Sequence, residues 1–365
     1  MTNSSVFIIA EAGVNHNGSI KYAFELIDAA VEAGADAVKF QSFRADASVR
    51  KTAQKANYQK GLTDEEETHY EMSKRLELSE SDHQQIAEYC LKQNIMFLSS
   101  PFDLESARML RERFKMNAFK IPSGELTNAP LLYEISMNHA PVILSTGMSS
   151  LQDIEEALGV LAYGYLGGEA PSKEAFQKAF SSLEGQKWLK QKVALLHCVS
   201  EYPTSPKDVH LKVMDLLRGE FGLRVGFSDH TLGIAVPIAA AARGASIIEK
   251  HFTLDKQMEG PDHKASLSPV ELREMVEGIR TVEAAIGYPD KTISDEEKSN
   301  RTVVRKSVVA TRDIRAGEPF TSDNIGCMRP GNGVSPYRYW DFIGKRASRA
   351  YLAEEELDDQ VGDAK

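Results

Sequence analysis

The stretch Arg224–His251, RVGFSDHTLGIAVPIAAAARGASIIEKH, decides the fold. It contains two apolar runs, Arg224–Phe227 and Ser246–His251, and the amphipathic segment Ile234–Arg243 lies between them. Such a succession is typical of two parallel strands joined by a crossover helix. The stretch therefore predicts a β-α-β unit.

The same alternation extends back to the start of the chain and predicts six further strands. They are Phe7–Glu11, Ala37–Gln41, Met96–Ser99, Ala118–Ile121, Val142–Ser145 and Val193–His197. The accompanying helical patterns include Ile20–Ala33, Ser81–Gln93, Leu104–Phe114, Ser150–Ala162 and, after the last strand, Pro269–Ile286. Eight β/α repeats over about 285 residues are the size of a closed (β/α)8 TIM barrel, and a doubly wound open sheet is the alternative.

The composition of the chain changes after Gly287 and predicts a second domain. Residues 288–302 are rich in charge and turn formers and indicate a linker. Residues 303–365 contain short β-branched runs, Lys306–Ala310 and Asn324–Met328, which predict a small, mostly β domain. Residues 1–287 would then form the barrel.

Two long polar connections interrupt the repeats of the barrel. Ser42–Glu80 follows the second strand, where it is either a functional lid or a surface insertion. Gly164–Gln191 separates the fifth and sixth strands, and we interpret it as a solvated surface insertion.

The charge balance and the cysteines narrow the class of protein. Lys and Arg number 43 and Asp and Glu 53, a formal net charge of −10, which argues against a nucleic-acid surface and a membrane-seeking face. An anionic substrate would need a local cluster of cations. The three cysteines form no C-x-x-C pair, and Met1–Ser5 offers no basic region of a signal peptide. We therefore expect a cytoplasmic protein.

Polar side chains gather at the carboxyl ends of the predicted strands, which is where TIM-barrel enzymes carry their chemistry. They are Glu11, Lys39, Gln41, Lys120, Ser123, Ser145, Ser228, His230, Glu249 and His251. Strand alternation places Glu249 and His251 on one face and Lys250 on the other. Buried charges are unfavourable unless they are paired or bind a ligand, so the pattern predicts a ligand-binding cavity.

Two groups within this set suggest particular ligands. Lys39 and Lys120, each flanked by apolar residues, would suit a phosphate and a carboxylate, although single lysines near strand ends are more often surface residues. His230 and His251 are either metal ligands or core histidines. Imidazoles with oxygen ligands and no thiolate favour Mn²⁺, Mg²⁺, Co²⁺ or Zn²⁺. We assign Ser149 or Ser150, rather than Ser145, to the cap of the following helix.

The chain resembles the sialic acid synthases, also called N-acetylneuraminate synthases, and their relatives that make legionaminic and pseudaminic acids. Eight matching strings occur in order over nearly the entire chain. They are Ile8–Gly18 (IIAEAGVNHNG), Ala37–Gln41 (AVKFQ), Phe119–Glu125 (FKIPSGE), Leu144–Met148 (LSTGM), Gly226–Thr231 (GFSDHT), Ile248–Thr253 (IEKHFT), Gly260–His263 (GPDH) and Arg329–Gly333 (RPGNG).

The resemblance implies a (β/α)8 barrel followed by a C-terminal antifreeze-like (SAF) domain, in a domain-swapped homodimer. The residues it implies for phosphoenolpyruvate are Lys39, Lys120, Ser123, Ser145 and Ser228, with Gln41 nearby. Those for the sugar are Glu11, Tyr202, Glu249, Asp262 and, across the dimer, Arg329. His230 and His251 would bind the divalent metal, Mn²⁺ before Mg²⁺ or Co²⁺. One departure is Ser200, where some relatives carry Asn.

The implied reaction condenses phosphoenolpyruvate with N-acetylmannosamine, or a related acylamino sugar, and water to give an N-acetylneuraminate-type sugar and phosphate. Glu11 or Glu249 would act as general acid and base. The main alternative acceptor is 2,4-diacetamido-2,4,6-trideoxymannose, which gives N,N'-diacetyllegionaminate. A synthase of the 3-deoxy-octulosonate type and a non-enzymatic sugar or ice binder are further alternatives. The tail from Val303 argues against the first, and the set of barrel residues against the second.

Overall fold

The computed structural model describes residues 5–56, 59, 63 and 66–359. The chain divides into two units, Met1–Gly287 and Tyr288–Lys365, which we describe separately. No helix within the described ranges is both long enough and apolar enough to span a membrane.

The first unit is built on eight parallel strands that confirm the predicted number and order. They are β1 Phe7–Gly13, β2 Ala37–Ser42, β3 Met96–Pro101, β4 Phe119–Ile121, β5 Val142–Ser145, β6 Val193–Cys198, β7 Arg224–Asp229 and β8 Ile247–His251. Their order in the sheet is β3-β2-β1-β8-β7-β6-β5-β4, so the first strand pairs with the last, and β3 and β4 are neighbours in space. This is a TIM-like near-barrel rather than a doubly wound open sheet.

Helices connect the strands and cover the outside of the barrel. They are α1 Ile20–Glu32, α2 Ala45–Ser48, α3 His69–Leu76, α4 Glu80–Lys92, α5 Leu104–Glu112, α6 Ala129–Ser136, α7 Leu151–Tyr165, α8 Lys173–Ser181, α9 Leu183–Lys192, α10 Pro206–Val209, α11 Val213–Phe221, α12 Ala235–Ala242 and α13 Pro269–Ile286. Side-chain caps begin several of them. At α7 the Ser150 hydroxyl accepts from Asp153 N, and the Asp153 carboxylate accepts from Ser150 N, as the sequence predicts.

The barrel interior is apolar at one end and polar at the other. Ile9 on β1, Ala37 on β2 and Ile247 on β8 belong to a small buried cluster inside the strands. Two residues further along the same faces stand Glu11, Lys39 and Glu249. Side-chain alternation therefore brings the charged residues to the carboxyl ends of the strands above an apolar base. The larger core lies between the outer faces of the strands and the helices.

Two stretches that the sequence analysis treated as an insertion and a linker contain helices. The predicted surface insertion Gly164–Gln191 contains α8 and most of α9, and its Trp188 ring stacks on Tyr165 with 6.0 Å between centroids. The predicted linker, residues 288–302, contains most of a capped helix, α14 Asp295–Val304. The sequence analysis did not predict these helices, because exposed helices have few apolar residues and their polar composition resembles that of a loop.

The second unit contains a two-stranded antiparallel sheet, β9 Ser307–Ala310 with β10 Ile325–Met328, and a short helix, α15 Tyr339–Phe342. Its own core consists of Val308, Ala310, Ile314, Phe320, Ile325, Val334, Phe342, Ala347, Tyr351 and Leu357. The predicted small C-terminal module with a β-sheet is confirmed, and the unit also contains α14.

Candidate active site

A cavity of about 610 Å³ lies at the carboxyl ends of the barrel strands. Every site residue that the sequence predicts within the barrel lines it. These are Glu11, Lys39, Gln41, Lys120, Ser123, Ser145, Tyr202, Ser228, His230, Glu249, His251 and Asp262. The structure therefore gathers these predicted residues, which come from seven of the eight strands or the loops after them, around one space.

Strand alternation decides which side chains reach this cavity. On β8, Glu249 and His251 line it, whereas Lys250 points to the opposite face. There the Lys250 ammonium group donates to the Asp229 carboxylate over 2.6 Å, and both side chains are fully buried. The predicted separation of Lys250 from its two neighbours is confirmed.

Glu249 is the centre of a buried charged cluster on the floor of the cavity. Its Oε1 accepts from Ser228 Oγ at 2.8 Å and lies 3.1 Å from Lys120 Nζ. Its Oε2 lies 3.6 Å from Lys39 Nζ and has no hydrogen-bond partner among the described residues. Since one carboxylate faces two ammonium groups, this floor suits a ligand with several anionic oxygens.

Glu11 forms the second acidic group and lies between the Lys39 ammonium group and the His251 ring. Lys39 Nζ donates to Glu11 Oε1, and His251 Nε2 lies 3.5 Å from Glu11 Oε2. Burial alone would raise the pKa of Glu11, but His251, Lys39 and Lys120 hold it well below its usual value. Burial likewise opposes the charge on Lys39, yet Glu11 and Glu249 raise the pKa of that ammonium group. Both groups are therefore charged at neutral pH.

Two hydroxyl groups flank the charged floor. The Ser145 Oγ is buried without a hydrogen-bond partner among the described residues. The Ser123 Oγ accepts from Gly147 N at 3.0 Å, and the Ser123 side chain also hydrogen-bonds to Cys198. Because a buried hydroxyl without a partner is unfavourable, Ser145 is suited to a ligand that provides an acceptor.

His230 and His251 lie side by side, with 5.6 Å between ring centroids. His230 Nδ1 lies 2.7 Å from the Val199 carbonyl oxygen, which only accepts, so this nitrogen carries a proton and Nε2 is left for another partner. His251 Nδ1 is buried and has no hydrogen-bond partner among the described residues. The Tyr202 ring packs on His230 with 4.0 Å between centroids.

These imidazoles fit a divalent metal that takes its remaining ligands from substrate and water. Within the described ranges, no three His, Cys, Asp or Glu side chains are placed to hold a metal ion. Burial lowers the pKa of His251, which favours the neutral form that binds metals. Burial also lowers the pKa of His230, but the negative charge of a Cys198 thiolate and the Val199 carbonyl raise it to about 9. A metal at His230 would therefore compete with a proton.

The two remaining predicted sugar residues lie in different units. Asp262 is buried on the rim of the cavity, and burial raises the pKa of its carboxyl group. Arg329 is exposed in the second unit, where its Nε donates to the Val304 carbonyl at 2.8 Å.

The cavity also has lining residues that the sequence analysis did not assign. Ser100, whose Oγ lies 3.3 Å from Lys39 Nζ, Glu125 and Cys198 are among them. Their positions at or just after strand ends were the available signal. The connection after β2 adds an apolar wall, in which Phe43 and Met72 pack together with Val14. No motif marks Phe43 or Met72.

The sequence matches two family models, the NeuB family over residues 26–291 and the SAF domain over residues 305–353. A protein of Campylobacter jejuni named N,N'-diacetyllegionaminic acid synthase is 46% identical over 348 residues, with 95% of this chain and 97% of the relative covered. The protein of that name from Legionella pneumophila is 44% identical, with 95% and 92% covered.

A solved structure shares the fold as well. It is the N-acetylneuraminic acid synthetase of Leptospira borgpetersenii in complex with citrate. Its TM-score is 0.64 at 31% identity, and the alignment covers 82% of this chain and 90% of that one.

Proposed function

The chain belongs to the NeuB family, and on this premise we propose that it condenses phosphoenolpyruvate with an acylated amino sugar and water. The products are a nine-carbon sialic-acid-type sugar and phosphate. The observation that carries the proposal is the buried cluster of Lys39, Lys120 and Glu249 beside the hydroxyl of Ser145, which has no partner among the described residues. Two ammonium groups and a free hydroxyl donor match the phosphate and carboxylate of the donor substrate.

Similarity supports a particular acceptor. Two relatives that are 46% and 44% identical over 95% of this chain are named for N,N'-diacetyllegionaminic acid. We therefore place 2,4-diacetamido-2,4,6-trideoxymannose first and N-acetylmannosamine second. The second acceptor is supported by the sialic acid synthetase structure at 31% identity.

The side chains of the cavity floor would orient the donor. Lys39 and Lys120 bind its phosphate and carboxylate, so that C3 of the enolpyruvate faces the acceptor aldehyde. The new bond joins C3 to the aldehyde carbon, and the aldehyde oxygen gains a proton. Water then adds to C2 with loss of a proton, and phosphate leaves. Among the carboxylates that line the cavity, we assign these proton transfers to Glu11 and Glu249.

His230 and His251 would hold the divalent metal, for which we propose Mn²⁺ before Mg²⁺ or Co²⁺. Bound there, the metal would supply Lewis acidity to the aldehyde oxygen. The support for this assignment is the unpartnered buried Nδ1 of His251 and the Nε2 that the Val199 contact leaves on His230.

We also propose a domain-swapped homodimer in which Arg329 of one chain completes the sugar site of the other. Exchange of a small module is a common route to symmetric dimers. The test mixes an Arg329→Ala chain with a His251→Ala chain after joint refolding. Swapped dimers then contain one intact site and recover activity, whereas sites built within one chain recover none. A monomeric active enzyme in light scattering would also contradict the proposal.

The reaction is tested by phosphate release from phosphoenolpyruvate with each acceptor in parallel. We expect release that depends on an acylamino sugar and Mn²⁺, is abolished by EDTA, and has a higher kcat/KM with the diacetamido sugar. Release with neither sugar would contradict the proposed function and would leave the sugar or ice binder as the explanation. Release with arabinose 5-phosphate instead would identify a synthase of the 3-deoxy-octulosonate type.

A further inference from the structure

Asn15 occupies a buried position in the loop after β1, and both of its amide N–H groups are used. The side chain is 1% exposed. Its Nδ2 donates to the Phe252 carbonyl oxygen at 2.8 Å and to Ser266 Oγ at 2.9 Å. Its Oδ1 is buried and has no hydrogen-bond partner among the described residues. The contribution of Asn15 is therefore the pair of donors, which Asp of nearly the same shape lacks.

These two hydrogen bonds lead to two different parts of the site. Phe252 directly follows His251, one of the two imidazoles of the cavity. Ser266 Oγ donates in turn to the Asp262 carbonyl oxygen at 2.7 Å, and Asp262 lines the rim of the cavity. One amide thus joins the end of β8 to the loop that carries Asp262.

The His251 ring lies beside Gly13, at a position where any side chain would crowd it. A Cβ atom at Gly13 would lie 3.2 Å from His251 Cε1 and 3.3 Å from Nδ1, closer than most carbon contacts. The backbone directly after the ring is also tied, since Phe252 N donates to the Glu11 carbonyl at 3.0 Å. A displacement at Phe252 would therefore alter the placement of His251 relative to Glu11.

We propose that Asn15 is a positioning residue, which holds the His251 imidazole and the Asp262 carboxylate in the arrangement that the metal and acceptor sugar require. This inference rests on the proposed function. It assigns no contact between Asn15 and a substrate, since Asn15 acts through Phe252 and Ser266. Donor binding should not depend on it, because the two hydrogen bonds of Asn15 lead to Phe252 and Ser266 and not to Lys39 or Lys120.

The sharpest variant is Asn15→Asp, which removes both donors and sets a carboxylate against the Phe252 carbonyl. The matched control is Asn17→Asp in the same loop, where the lost bond is Asn17 Nδ2 to the Glu259 carbonyl at 2.9 Å. Ser266→Ala is a milder third variant, because it breaks the link to Asp262 and retains the bond to Phe252.

Three quantities separate a positioning role from general damage: the Mn²⁺ affinity by calorimetry, the acceptor KM with kcat, and the phosphoenolpyruvate affinity. In Asn15→Asp we expect Mn²⁺ affinity to fall about tenfold to hundredfold, as for residues that orient metal ligands, with a raised acceptor KM. The affinity for phosphoenolpyruvate should stay within about twofold, on the premise that the metal does not bind phosphoenolpyruvate. Ser266→Ala should raise the acceptor KM alone, and Asn17→Asp should leave the Mn²⁺ affinity unchanged.

Unchanged Mn²⁺ affinity and acceptor KM in Asn15→Asp would overturn the proposal. So would an equal loss of phosphoenolpyruvate affinity, because that result indicates damage to the whole barrel. If Asn15→Asp does not fold, Ser266→Ala decides the matter through its acceptor KM. If the wild-type chain condenses neither sugar, the proposed function fails, whereas the Mn²⁺ titration still tests the Asn15 contact to the His251 segment.

Discussion

The buried ion pair between Lys250 and Asp229 allows a quantitative prediction about stability. Both side chains are fully buried behind the cavity, and Lys250 Nζ also donates to the Thr231 carbonyl at 2.5 Å. In Lys250→Met, the Asp229 carboxylate would retain two hydrogen bonds among the described residues, from the Thr231 backbone N at 3.0 Å and the Thr231 hydroxyl at 3.1 Å. Removing one partner of a buried pair typically destabilises by about 3–5 kcal/mol. We expect the free energy of unfolding of the first unit to fall by that amount.

The two tryptophans of the chain make this measurement specific to one unit. Trp188 lies in the first unit and Trp340, which is 76% exposed, in the second. In a Trp340→Phe background, urea unfolding followed by tryptophan fluorescence reports on the first unit alone. The double variant Lys250→Met with Asp229→Asn removes the uncompensated charge and should regain most of the loss. A loss below about 1 kcal/mol in the single variant, or a double variant less stable than the single, would refute the reasoning.

Three further predictions concern the site and the acid limit of stability. Lys39→Ala and Lys120→Ala should each reduce kcat/KM for phosphoenolpyruvate about tenfold to hundredfold, since a charge-assisted hydrogen bond contributes about 1.5–3 kcal/mol. A loss confined to the kinetic constants of the sugar would contradict the assignment of these lysines to phosphoenolpyruvate. His251→Ala should abolish activity with an unchanged far-UV circular dichroism spectrum, and full activity would exclude it as a metal ligand. Burial lowers the pKa of His16 to about 4 from an ordinary value of 6.5, and its Nδ1 accepts from Gly18 N at 3.0 Å. The unfolded chain therefore binds this proton first, so stability is full above pH 6.5 and falls toward pH 4 by about 1.4 kcal/mol per pH unit. In His16→Gln the pH dependence of the free energy of unfolding, measured with urea, should be flatter by that amount. An equally steep pH dependence would contradict the proposed effect of burial on His16.

The strands could be predicted because a parallel sheet covered on both faces needs nearly continuous apolar runs. Their carboxyl ends were the least certain part. β7 continues to Asp229 and β1 to Gly13, each two residues beyond the predicted end. The extra residues include polar side chains that belong to the site and its support, and polarity alone suggests a loop. The sequence therefore placed the site residues correctly at strand ends but shortened the strands that carry them.

The walls of the cavity could not be predicted in the same way. Phe43 and Met72 belong to a long polar connection, and only tertiary packing with Val14 shows that they face the cavity. The sequence alone does not distinguish Glu125 from a carboxylate on the protein surface. Burial raises its pKa, and Asn128 Nδ2 donates to it at 2.6 Å. Contacts of this kind depend on loop geometry, for which local sequence contains little information.

Strand alternation accounts for the side-chain directions of two dipeptides, at the ends of β7 and β8. Asp229-His230 and Lys250-His251 each place one residue on the cavity side and its neighbour on the opposite side. Period-two alternation predicts this division from the sequence, but it does not predict what the outward residues contact. In the structure they contact each other, and the resulting ion pair links the two strands directly behind the two imidazoles. The distance between His230 and His251 is therefore supported by the Lys250–Asp229 ion pair, which takes no part in substrate binding. A variant of this ion pair will affect stability before it affects catalysis.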